Sequence, residues 1–262
     1  MSTSLNKNHN NSFFMNLAFK QAMINLGNTS DNPSVGCVIT KNNNVISAGF
    51  TSLNGRPHAE YNAINNSREK LANSNLYVTL EPCSHYGKTP PCVKKIIKKK
   101  IKKVYFSVND PDLRSFKKSY KKFRNLNIYV NAGVFSNRIK QFYKSYILYK
   151  ENKLPFVTCK LAISKDYFTI NKKKKWITNK YSRGRVHLMR SNHDSIITSS
   201  NTIKIDNPSL NCRINGLEKT SPSRIILDNH LKIPLKSNII KNNKISKTII
   251  FYNRANESKI KL

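Results

Sequence analysis

His58, Cys83 and Cys92 offer one imidazole nitrogen and two sulfurs. That donor set suits zinc. Three protein ligands leave the fourth tetrahedral position open to water, the layout of a catalytic rather than a structural site. Glu60, two residues after the histidine, is not needed as a ligand and is free to move protons. The chemistry on offer is hydrolytic: zinc lowers the pKa of a bound water towards about 7, and Glu60 takes its proton and hands protons on. The plainer alternative is two buried thiols and an ordinary surface histidine. The order of the pieces argues against it, because Pro57-His58-Ala59-Glu60 is followed, after one helix and one strand, by Glu81-Pro82-Cys83 and Pro90-Pro91-Cys92.

Residues two apart on a regular helix point to nearly opposite sides. His58 and Glu60 therefore share a site only if His58 stands at the very start of a helix, and Pro57 fits such a start. Pro90-Pro91 marks a second helix start, which puts Cys92 in or near a first turn, where the helix end favours the thiolate. Leu76-Tyr77-Val78-Thr79-Leu80 reads as a buried strand that stops just short of Cys83. Around these pieces, residues 1–12 are polar and Asn-rich and read as a loose tail, and 12–27 as an amphipathic helix. Residues 35–40 and 44–50 read as a hairpin. Helices over 58–72, 90–100, 115–124 and 135–150 alternate with strands over 76–80, 103–108 and 127–130, which implies an α/β sandwich. Glu151-Asn152-Lys153 breaks the pattern. The domains expected are 13–151 and 154–262, the second opening on a buried strand over Phe156–Ala162.

His-x-Glu followed by Pro-Cys and a second Cys is the signature of zinc deaminases that act on nucleobase-like rings. Most of these have two residues between the cysteines; here eight intervene, among them Gly87 and Thr89-Pro90-Pro91. That loop, with Asn32-Pro33-Ser34-Val35-Gly36-Cys37-Val38-Ile39 upstream, closely resembles one family, the bifunctional riboflavin-biosynthesis deaminase–reductase. Further matches are Trp176-Ile177-Thr178, His187-Leu188-Met189-Arg190, Asp194-Ser195-Ile196-Ile197, the run Thr202 to Arg213 with Asp206-Asn207-Pro208, and Ser223 to Asp228. The resemblance implies a cytidine-deaminase-like three-layer α/β/α domain followed by a partial dihydrofolate-reductase-like α/β domain.

The implied activity is zinc-dependent hydrolytic deamination of 2,5-diamino-6-(5-phosphoribosylamino)pyrimidin-4-one to 5-amino-6-(5-phosphoribosylamino)uracil. Reduction of the ribosyl group to ribityl with NADPH is the family's second reaction. The resemblance places Ala162, Trp176, Thr202, Asp206 and Asn229 at NADPH, and Arg190, Leu210 and Arg213 at the phosphorylated substrate. Asn32 falls where related sites meet the pyrimidine or ribose; His85 and Lys88, in the loop between the cysteines, are candidates to meet the substrate or its phosphate, the alternative for His85 being a solvent-exposed loop residue. Two departures stand out. Ser164-Lys165-Asp166-Tyr167 replaces the family's Ser-Leu-Asp-Gly, and Lys174, inside the run Lys172–Lys175, replaces a small serine. The stretch after residue 154 is about half the family's reductase domain, so that domain is expected to be incomplete, without the Gly-rich turn that cradles the cofactor phosphates.

The 262 residues include 47 Lys plus Arg against 13 Asp plus Glu, a formal net charge of +34. Such a balance suits a polyanion, but Lys, Asn and Ile are over-used throughout, including loops, which reads as compositional drift. A zinc deaminase acting on RNA bases is the competing reading; the charge favours it, and the spacing between the cysteines and the reductase-like half disfavour it. A zinc-stabilised scaffold is the third, and it would not need Glu60. Five cysteines, an odd number, argue against a disulfide framework, and Cys37, Cys159 and Cys212 read as buried thiols. No apolar run approaches membrane-spanning length. The expectation is a cytoplasmic enzyme with a small phosphorylated pyrimidine substrate, no nucleic-acid partner, no membrane, and a homo-oligomer permitted.

Overall fold

The first sheet is built from strands whose apolar runs are buried on both faces. In the computed structural model, which describes residues 2–169, 176–244 and 246–254, the elements run in chain order as follows. Helix α1 (Ser2–Ala22) leads to β1 (Gly36–Lys41) and β2 (Asn44–Phe50), then α2 (Ala59–Asn66), β3 (Asn75–Leu80), α3 (Cys92–Lys98), β4 (Lys103–Val108), α4 (Lys118–Arg124), β5 (Tyr129–Ala132), α5 (Ser136–Phe142) and α6 (Lys144–Asn152). The sheet order is β2-β1-β3-β4-β5. β1 pairs antiparallel with β2 and β3, whereas β3, β4 and β5 run parallel.

Two glycines show how the helices cover this sheet. A Cβ on Gly36 would lie 1.9 Å from the Ala18 carbonyl oxygen of α1, and one on Gly49 would lie 2.3 Å from the Ala63 nitrogen of α2. Gly49 sits opposite Cys37, the neighbour of Gly36. Successive residues of a strand face opposite sides, so α1 and α2 lie on opposite faces and the layers are α/β/α. On the α1 side Phe14 meets Tyr77, which stacks on Tyr105 with ring centroids 4.6 Å apart. On the α2 side Ile39, Leu76, Val78, Val104 and Phe106 are fully buried.

The chain divides into two units, Met1–Thr158 and Cys159–Leu262. The second holds α7 (Lys180–Ser191), β6 (Ser195–Ser199), α8 (Ser200–Asp206), β7 (Ser223–Leu227), α9 (Asn238–Lys241) and β8 (Thr248–Phe251). Its three strands are parallel in the order β6-β7-β8. Ile203, Leu210, Ile226 and Ile239 form its buried cluster.

Several expectations are corrected. The segment read as a loose tail over 1–12 is helical from Ser2. Asn11 accepts a hydrogen bond from the Tyr77 hydroxyl and Phe14 is buried, so the helix is anchored at its middle and propagates outward from there. The same helix stops at Ala22 rather than 27. The helix read over 135–150 is two, α5 and α6, meeting at Tyr143. Residues 156–162 are in no strand; Phe156, Val157 and Leu161 are exposed, and so is Cys159. An apolar run with β-branched residues becomes a strand only when a neighbour completes its ladder. Cys37 and Cys212 are buried. The run Lys172–Lys175, with Lys174, lies outside the described residues. Among those described, no helix is long and apolar enough to cross a membrane.

Candidate active site

Three chain segments deliver the metal-binding set. His58 is the N-cap of α2, in extended backbone with φ −70° and ψ 159°. That geometry turns its ring alongside Glu60, which lies in the first turn of α2 and is buried. Cys83 follows the end of β3, and Cys92 is the first residue of α3 after the N-cap Pro91. The Cys92 amide donates to the Cys83 sulfur at 3.2 Å, and the Val93 amide donates to the Cys83 carbonyl at 3.3 Å. The loop between the cysteines is thus closed at its base by backbone bonds.

The His58 Nδ1 lies 3.6 Å from the Cys83 sulfur and 3.5 Å from the Cys92 sulfur. All three donor atoms fall within 4.8 Å of one another, the one such His/Cys/Asp/Glu group among the described residues. A tetrahedral zinc with ordinary Zn–S and Zn–N bonds sets its nitrogen and sulfur ligands about 3.6 Å apart. The spacing therefore fits zinc as it stands.

The electrostatics follow from the crowding. The hydrogen bond with Cys92, opposed by burial and aided by His58, pulls the Cys83 thiol well down, while the same bond and burial push Cys92 up. The hydrogen bond to Cys83 raises His58. Burial, with the Cys83 charge beside it, pushes the Glu60 carboxyl up to about 7. A cation held between the sulfurs displaces the proton they retain, which couples metal binding to pH.

His58, Glu60 and Cys83 form the floor of a cavity of about 380 Å³, a size suited to a small ligand. Asn32 is on its wall, its amide donating to the Gly55 carbonyl at 3.0 Å. His85 and Lys88 also line it. His85 Nδ1 is 2.9 Å from the Ser115 hydroxyl, and burial together with the Arg114 charge lowers its pKa. The sequence did not single out Arg56, Glu81, Asp110, Asp112, Arg114, Tyr146 or Lys150, all of which line the same cavity. Glu81 is the anchor of that wall. Its buried carboxylate accepts the backbone amides of Asp110, Lys117 and Ser119 and the Ser119 hydroxyl.

In the second unit, Thr202 and Asp206 lie on α8, which begins where β6 ends, and Asn229 follows the adjacent end of β7. Thr202 and Asn229 thus lie just beyond the C-terminal ends of β6 and β7, whereas Asp206 stands at the far end of α8. Arg190 donates to the Asn211 carbonyl at 3.1 Å, and Arg213 donates to the Asn211 side chain at 3.2 Å. His187 joins them: the Arg213 amide donates to its Nδ1 at 3.2 Å. Burial and the two arginine charges lower the His187 pKa. Leu210 is buried with φ +53°. Ala162 lies in the extended stretch before Ser164, and Trp176 is exposed with the Arg183 guanidinium 4.9 Å from its ring centre.

Residues 8–108 match the cytidine and deoxycytidylate deaminase zinc-binding region, and residues 155–262 match the RibD C-terminal domain. The chain is 36% identical over 251 residues to the riboflavin biosynthesis protein RibD of Aquifex aeolicus, covering 95% of this chain and 70% of that one. It is 37% identical to the Bacillus amyloliquefaciens RibD, of which it covers 62%. Among solved structures, the Thermotoga maritima diaminohydroxyphosphoribosylaminopyrimidine deaminase/5-amino-6-(5-phosphoribosylamino)uracil reductase superposes with a TM-score of 0.87 at 36% identity. That match covers 95% of this chain and 71% of the Thermotoga chain.

Proposed function

The chain belongs to the RibD family of riboflavin-biosynthesis deaminase–reductases, and from that premise we propose that its first unit deaminates 2,5-diamino-6-(5-phosphoribosylamino)pyrimidin-4-one. The family joins a cytidine-deaminase-like domain to a dihydrofolate-reductase-like one. The observation that carries the proposal is the buried Glu60 beside three donors spaced for zinc at the floor of a ligand-sized cavity.

His58, Cys83 and Cys92 would hold the zinc. When bound, it supplies Lewis acidity that makes a water acidic near neutral pH. The chain's own residues do the rest. Glu60, buried and with its pKa raised to about 7 by that burial, would take a proton from water on the cavity floor and give it to the ring nitrogen, then take the proton of the hydroxyl added to the ring and give it to the departing ammonia. Asn32, fixed through its amide to Gly55, keeps its side-chain oxygen as an acceptor for a ring or ribose group. The walls shield the floor from bulk water, which strengthens each of these interactions. A scaffold role has no use for a buried carboxylate at this point.

For the second unit, the proposal is that Thr202, Asp206 and Asn229, with Ala162 and Trp176, contact NADPH, and that Arg190, Leu210 and Arg213 hold the phosphorylated intermediate. Two arginines converging on Asn211 support an anion site, since a guanidinium fork binds phosphate through paired hydrogen bonds.

The test is to incubate the zinc-loaded chain with the ribosylaminopyrimidinone 5′-phosphate, with and without NADPH, and to identify products by mass. Ammonia loss that Glu60→Gln abolishes establishes the deaminase. Gain of two hydrogens only with NADPH establishes reduction. Deamination of an RNA oligonucleotide with no turnover of the small molecule would overturn the reading.

A further inference from the structure

The acidic groups on the cavity wall are not equivalent. Glu81 is saturated by four hydrogen bonds from the 110–119 segment. Asp110 accepts the Asp112 amide and the Tyr146 hydroxyl, both at 3.0 Å on one oxygen. Asp112 differs, because it faces two cations. Its carboxylate accepts from Arg114 Nε at 2.9 Å and Nη2 at 2.6 Å, and lies 3.5 Å from Lys150 Nζ. One carboxylate shared by two cations leaves this cluster of three with one net positive charge.

Both ends of this cluster are built in. Tyr146 and Lys150 are four apart on α6, so they share one helix face, and they tie that face to the loop after β4 at two points. The side chains of Asp112 and Lys150 are 12% and 22% exposed, whereas that of Arg114 is 62% exposed. Asp112 occupies the Nε side of the guanidinium. A guanidinium carries five N–H donors, so the Nη1 edge of Arg114 stays open to solvent and to a ligand. The other cations lining the cavity are Arg56, which donates to the Thr89 hydroxyl at 2.7 Å, and Lys88. Glu60 is the remaining acid and lies on the floor.

Resting on the reading of this cavity as the deaminase site, we propose that Arg114 and Lys150, held in place by Asp112, receive the phosphate monoester of the substrate. A doubly negative terminal group fits a pair of cations that one carboxylate has only half neutralised. Arg offers a fork to two phosphate oxygens, and Lys offers a point charge beside it. The ring end of the ligand then lies towards His58 and Glu60, and its charged tail at the cluster on the α6 side.

Binding of ribose 5-phosphate to the zinc-loaded full chain, followed by phosphorus NMR titration in an Arg190→Ala/Arg213→Ala background that removes the anion site proposed for the second unit, tests this without requiring turnover. The chain with only those two changes binds ribose 5-phosphate saturably and does not bind ribose. Arg114→Ala weakens that binding tenfold or more, Lys150→Met weakens it severalfold, and Lys98→Met, on the exposed face of α3, leaves it unchanged. Thermal melts show that each variant is folded. Binding unaltered in both Arg114→Ala and Lys150→Met overturns the proposal, as does equal binding of ribose. Tighter binding of a short RNA with the same dependence on Arg114 overturns it in favour of a polyanion. If no deamination is found but ribose 5-phosphate still needs Arg114, the anion pair stands and the deaminase reading falls.

Discussion

Glu81→Gln should loosen the cavity wall without touching the zinc ligands. The Glu81 carboxylate holds four donors, two on each oxygen: the Asp110 and Lys117 amides on Oε2, and the Ser119 amide and hydroxyl on Oε1. Glutamine keeps one acceptor oxygen and presents an NH2 where the other was. With the NH2 at the Oε1 place the Ser119 hydroxyl turns to accept from it, and one buried donor, the Ser119 amide, is left facing a donor. A buried polar group left unpaired costs about 1–3 kcal/mol, so the variant should lose about that much stability. A domain is held by about 5–15 kcal/mol in all, so the loss is large. Release of zinc to a chromogenic chelator during urea titration follows this change, because Cys83 is two residues from Glu81. The midpoint for zinc release should fall. The KM of the deamination should rise, because Asp112 and Arg114 lie on the segment that Glu81 anchors. An unchanged zinc-release midpoint would refute the view that this carboxylate organises the wall.

Three further outcomes follow from the same geometry. Glu60→Gln should retain zinc at one ion per chain, measured by atomic absorption, and lose at least about a hundredfold in kcat, the scale of general acid–base catalysis. Asp110 is pushed up to about 6 by burial, so the folded state holds its proton more tightly than the unfolded chain. Stability is therefore lost as pH rises from about 4 to 6, by up to about 3 kcal/mol. Asp110→Asn, whose oxygen can still accept from Tyr146 and Asp112, should raise Tm at pH 8 and leave it unchanged at pH 4. Gly36→Ala would put a Cβ 1.9 Å from the Ala18 carbonyl oxygen; overpacking of this kind costs about 1–3 kcal/mol or more, and circular dichroism melts should show a lower Tm.

The grouping of His58, Cys83 and Cys92 was legible because each is announced locally. Pro57 and Pro91 fix where α2 and α3 begin, and the helix starts themselves aim His58 and Cys92. The α/β alternation was legible for the same reason: Leu76–Leu80 and Lys103–Val108 are apolar runs that pair as written. The far wall was not. Lys150 meets Asp112 and Tyr146 meets Asp110 across 38 and 36 residues, and nothing in either stretch marks the other. A salt bridge between separate elements is a property of their packing. The strand read over 156–162 failed in the opposite way: the residues favour extended backbone, but a strand also needs a ladder, which local residue types do not specify, and the run is in no strand. The helix before Phe13 escaped notice because its residues are polar, and its order comes from Asn11 and Phe14 docking against Tyr77.

The most direct measurement is to run the zinc-loaded chain with the diaminopyrimidinone ribosylamine 5′-phosphate in heavy-oxygen water and to weigh product against ammonia. A hydrolytic centre at His58, Cys83 and Cys92 predicts one ammonia released for each heavy oxygen incorporated. Both should vanish with a zinc chelator and with Glu60→Gln. Ammonia released without solvent oxygen entering the product, or turnover that survives both treatments, would contradict it.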